Sequence, residues 1–122
     1  MSKPKKVGNI SKEVISALGL DIEQGEHIFL GQTNIDHMKD KHPDDYEKYG
    51  KDIPFILENP DYIGINGKDD SIEYVKEYKI DDEYVKVAVR VSAKDNYFVR
   101  TLYVLNKTRV ENFIKKGTLK KL

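Results

Sequence analysis

Hydrophobic positions recur at helical spacing in the first half of the chain and at strand spacing in the second. Val14, Ile15 and Leu18 form one stripe of a helix predicted from Lys12 to Leu18, capped by Ser11 and stopped by Gly19. His27 to Leu30 is a short apolar run between glycines, read as a brief strand or bridge. A second helix is predicted from Thr33 or Asn34 to about Lys41, ahead of Pro43, and a third near Ile53 to Leu57 with Pro54 in its first turn. Ile63 and Ile65 begin a possible early strand. From Ser71 to Ile80 the chain turns rich in Tyr, Val and Ile. Tyr84 to Ser92 then alternates with Val85, Val87, Val89 and Val91 on one side. Turns are predicted at Asp81-Asp82 and Lys94-Asp95-Asn96, a further strand over Tyr97 to Leu105, and a last helix from about Thr108 to Lys116, closed by Gly117. Helices followed by an antiparallel meander make this an α+β fold.

The 122 residues suit one domain, and a chain of that length buries roughly two-thirds of its unfolded surface without a covalent staple. The charged start reads as a flexible tail over residues 1–8, leaving 9–122 as a single domain. Cys 0 removes disulfides and thiolate metal sites, and no apolar stretch suggests a signal peptide or membrane span, so the expected location is the cytoplasm. Lys+Arg 21 balance Asp+Glu 21, which argues against indiscriminate binding to nucleic acid. Acids nevertheless crowd the stretch from Asp36 to Asp61, and bases the end from Lys107 to Lys121.

If the four valines face the helices, the opposite side of that strand presents Lys86, Arg90 and Ser92, which a buried face would not tolerate unpaired. On the next strand Phe98, Leu102 and Val104 fit the helix side, placing Tyr97, Thr101 and Tyr103 beside Arg90 and Ser92. Arg100 then falls awkwardly among the core positions. Turning Val75 toward the helices leaves Tyr74, Lys76 and Tyr78 on the open face. Such a face can hold phosphate and stack bases, but a solvated antiparallel sheet also shows Lys, Thr, Tyr and Arg.

Of the three histidines, His27 reads as structural. His37 and His42 belong to one helix, five residues apart, a rotation of about 140°, so they meet at one site only if the helix ends between them. His42 shares the Ile35 and Met38 stripe, so it also fits a core or helix-end role, and His37 fits a plain exposed position. Metal motifs, phosphate-binding glycine loops and an acyl-transfer serine elbow are absent.

The runs HMKDKHPDDYEKYG (37–50), ILENPDYIGIN (56–66), SIEYVKEY, VKVAVRVS and FVRTLYVLN together resemble phage-associated nucleases of the barnase, EndoU, colicin and RelE class. The resemblance implies helices packed on one face of a four-stranded antiparallel sheet, with a short C-terminal helix. It implies metal-independent, cofactor-free endonuclease activity on RNA, tRNA included, and an immunity or antitoxin protein as partner. Carried onto this sequence, the catalytic candidates are His37, His42, Arg90 and Thr101. Lys76, Ser92, Arg100, Tyr74 and Tyr103 are the candidates for holding substrate. The rival expectation is a non-catalytic binding or regulatory module on the same fold, using the acidic stretch to meet a basic partner.

Overall fold

The computed structural model describes residues 3–23, 25–91 and 96–122. The meander is present as β3 (Tyr62–Ile65), β4 (Ile72–Tyr78), β5 (Glu83–Val91) and β6 (Tyr97–Leu105), each antiparallel to the next. The four-stranded expectation falls short, because three further strands extend the sheet. β1 (Lys5–Asn9) pairs antiparallel with β2 (His27–Leu30), β2 lies parallel to the start of β6, and β7 (Leu119–Lys121) pairs with β3. Among the described residues the sheet is seven-stranded and mixed, in the order β1-β2-β6-β5-β4-β3-β7. β2 is the brief apolar strand that the sequence predicts, whereas β1 and β7 are short and rich in lysine. Backbone ladders rather than alternating burial define them, so the tail expected over residues 1–8 becomes an edge strand from Lys5.

The helices are α1 (Lys12–Leu18), α2 (Gln32–Lys41), α3 (Pro43–Tyr49), α4 (Ile53–Glu58) and α5 (Lys107–Lys115). The Ser11 side chain accepts the Val14 N–H, and Gly19 ends α1 at φ 64°, as the pattern predicts. α2 starts earlier than predicted. Gly31 is its N-cap, and Asn34 reaches back to accept the Gly31 N–H at 3.1 Å. Pro43 ends α2 but also opens α3, because proline is well suited to the first turn of a helix.

Two apolar clusters occupy the two faces of the sheet. On one face Val85, Val87, Val89 and Leu102 pack with Val14 of α1, Met38 of α2, and Ile53 and Ile56 of α4. On the other, Val75, Tyr84 and Leu105 pack with Val110 of α5 and with Leu119. α5 therefore covers one end of the face that the valine alternation leaves free. Three acids of the acidic stretch tie it to the sheet. Asp45 accepts the Val104 N–H at 3.0 Å, Asp52 the Tyr78 hydroxyl at 3.0 Å, and Asp61 the Glu77 N–H at 2.8 Å. No helix among the described residues is long and apolar enough to cross a membrane.

Candidate active site

The uncovered end of the second face forms a cavity of ≈ 230 Å³. One wall comes from α2 and its C-cap, with His37 and His42, and from β6, with Arg100, Thr101 and Tyr103. β5 supplies Lys86 and Ala88, and the segment from β3 into β4 supplies Asn66, Asp69, Ser71 and Glu73.

The two histidines reach one cavity because the helix ends between them. α2 stops at Lys41, and His42 adopts φ −139° and ψ 60°, outside helical geometry, before α3 begins. β2 pairs with β6 only through Ile28 and Phe29, and further along β6 the α2–α3 corner takes over, pinned by the bond from Val104 N–H to Asp45. Met38 faces the core, fully buried, while His37 and His42 border the opposite face. The His42 ring stacks on Tyr103, with centroids 5.0 Å apart and planes 24° from parallel. Tyr103 thus supports an imidazole, whereas the alternation had offered it as a platform for a base.

The cations are paired. Lys86 Nζ lies 2.7 Å from Glu73 Oε2 and 4.8 Å from the Tyr103 ring centroid. Burial pushes the Lys86 ammonium down, but hydrogen bonds with Glu73 and Tyr103 outweigh it, so its pKa stands above the ordinary lysine value. Lys86 is a permanent positive charge in the cavity floor. Arg100 is paired with Asp69, whose other oxygen accepts the Ser71 N–H at 3.0 Å.

Arg100 owes its position to a β-bulge. The β5–β6 register slips between Ala88, opposite Thr101, and Val89, opposite Val99, so Arg100 is the extra residue. The bulge resolves the awkward placement of Arg100 and reverses the phase before it. Phe98 lies opposite Arg90 on the cavity side of the sheet, and Tyr97 packs toward the core.

Three candidates lie elsewhere. Tyr74 is fully buried in the helix-side core, and Lys76 sits over the Phe55 ring at 5.3 Å and beside Asp61 at 3.4 Å, away from the cavity. The reason is the phase of β4. Val75 is buried against α5, so Ser71 and Glu73 share its face while Tyr74, Lys76 and Tyr78 point the other way. Arg90 is exposed and does not line the cavity; Ser92 and the Lys94-Asp95 part of the expected turn lie outside the described residues. His27 is exposed, edge-on to Phe29. The residues that sequence reasoning missed are Asn66, Asp69, Ser71 and Glu73. The i, i+2 spacing of Ser71 and Glu73 was the available signal, had β4 been phased correctly. Among the described residues no group of three or more His, Cys, Asp or Glu side chains is placed to hold a metal ion.

A family model described as phage-Barnase-EndoU-ColicinE5/D-RelE like nuclease3 matches residues 5–112. The chain belongs to that family. No curated protein and no solved structure matches it. As a nuclease of this type, the chain is expected to act on nucleic acid, and the matched range takes in every residue that lines the cavity.

Proposed function

We propose that this nuclease is a metal-independent endoribonuclease whose own side chains supply both proton transfers. The observation that carries this reading is the convergence of His37, His42, Arg100 and Thr101 on one cavity floored by Lys86. RNA brings an internal nucleophile that DNA lacks. One imidazole takes the proton of the ribose 2′-hydroxyl, whose oxygen bonds to phosphorus. The bond from phosphorus to the 5′-oxygen breaks, and the other imidazole protonates that leaving oxygen. The products are a 2′,3′-cyclic phosphate and a 5′-hydroxyl. A well-placed acid or base contributes roughly 100- to 10,000-fold, and histidine suits both roles near neutral pH. Arg100 binds the phosphoryl oxygens, Lys86 adds positive potential from below, and Thr101 donates its hydroxyl. Tyr103 holds the His42 ring in place. The partners implied are an RNA such as tRNA and an immunity or antitoxin protein that restrains the enzyme in the cytoplasm.

Alanine at His37, His42 and Arg100, tested singly on total tRNA and rRNA, is expected to lower cleavage by about 100-fold or more for each histidine. Substrate carrying 2′-deoxyribose at the cleavage point is expected to resist. Unchanged cleavage in all three variants would remove this site.

A further inference from the structure

Two ion pairs lie along the cavity, Lys86 with Glu73 and Arg100 with Asp69. The Asn66 amide is engaged as well, its Nδ2 donating to Glu73 Oε2 at 3.4 Å and its Oδ1 accepting the Lys68 N–H at 2.8 Å. A phosphate belongs at the Arg100 guanidinium. The Glu73 carboxylate and the Ser71 hydroxyl can accept hydrogen bonds from a neutral group.

Ser71 points to such a ligand. It is 1% exposed, it lines the cavity, and its hydroxyl oxygen has no hydrogen-bond partner among the described residues. A buried hydroxyl without a partner is uncommon, because desolvation of the group goes uncompensated. Glu73 lies two positions on, on the same side of the sheet, and Lys86 engages only its Oε2. Asp69 stands at the same end, tied to Arg100 and to the Ser71 N–H.

We infer that the Ser71–Glu73 end of the cavity is a base subsite selecting nucleotides whose base carries an exocyclic amino group, with uracil excluded. Guanine, adenine and cytosine each offer an amino N–H to a carboxylate. Uracil flanks its single N–H with carbonyl oxygens, which lie unfavourably against the oxygens of the Glu73 carboxylate. The subsite rests on the nuclease reading for its purpose, but its test does not require cleavage.

The test measures binding of the 3′-monophosphates of guanosine, adenosine, cytidine and uridine to the intact protein, with inorganic phosphate as reference, by calorimetry and by amide chemical shifts. The amino-bearing nucleotides are expected to bind at least about tenfold more tightly than uridine monophosphate and to shift the Ser71 and Glu73 amides. Ser71→Ala removes a hydroxyl that no group among the described residues uses, so it should fold normally and shrink the selectivity to about twofold or less. Equal binding of all four nucleotides, absence of binding by any of them, or selectivity unaltered by Ser71→Ala would overturn the subsite. Selective binding without cleavage of an oligoribonucleotide would keep the subsite and remove the catalytic reading, and cleavage without selectivity would do the reverse.

Discussion

Tyr74 carries a phenol without a hydrogen-bond partner among the described residues. The ring is fully buried, and burial pushes the hydroxyl pKa well above the ordinary tyrosine value. Replacing it by phenylalanine keeps the packing and deletes the uncompensated group. Tyr74→Phe is therefore expected to leave stability unchanged or to raise it by up to about 1–3 kcal/mol, read from the urea midpoint at constant slope. A loss of more than about 1 kcal/mol would show that the hydroxyl is satisfied after all. Asp69 presents the opposite case, a carboxylate that occupies the guanidinium a phosphate would need. Arg100 and Asp69 have side chains 48% and 18% exposed, and pairs so open to water are worth roughly 0.2–1 kcal/mol. Asp69→Asn should accordingly tighten the binding of inorganic phosphate by up to about fivefold. Weaker binding would mean that Asp69 orients Arg100 instead of competing for it.

At the scale of elements, legibility followed the source of each element's stability. α1, α4, β5 and the bounds of β6 were readable because local signals mark them: the Ser11 cap, Pro54 in a first turn, and the alternating valines and flanking turns of the strands. β1 and β7 were not, since they are held by backbone pairing to distant strands, and β7 further requires Gly64, where a Cβ would stand 2.2 Å from the Thr118 oxygen. The site was legible to the same degree. His37, His42, Thr101 and Tyr103 reach the cavity, but β4 was phased wrongly because an apolar Val75 was taken to mean the helix side when α5 covers it from the other. Arg100 reaches the cavity through a bulge that no alternation rule anticipates. The element that carries both proposed proton-transfer histidines is the α2–α3 corner, and Asp45 is its tie to the sheet. Asp45→Ala leaves the Val104 N–H without its charged acceptor, which should lower stability by about 1.5–3 kcal/mol. It should also lower cleavage by more than the fraction unfolded explains, because His42 moves with the corner. Normal activity in the destabilised variant would show that the histidines are held independently of this bond.

Over the whole molecule the charges cancel, with Lys+Arg 21 against Asp+Glu 21, and this limits how nucleic acid can be held. Nucleases that bind along broad basic surfaces lose affinity steeply as salt rises, because each neutralised phosphate releases counterions. Here the cavity offers Arg100 at its wall and Lys86 in its floor, each already matched by a carboxylate. With about one or two phosphates neutralised, the logarithm of affinity for single-stranded RNA should fall with the logarithm of salt at a slope of about −0.7 to −1.4. The lysines at the far end, Lys115, Lys116, Lys120 and Lys121, are exposed and flank α5 and β7, outside the cavity lining. A measured slope steeper than about −3 would mean that RNA also runs over such a surface. The shallow slope would instead fit a molecule that recognises a short segment at one cavity and leaves the rest of its surface neutral. Comparing wild type with Arg100→Ala separates the two cases. Loss of the cavity contact should flatten the slope by about 0.7, whereas a long basic track would leave most of it in place.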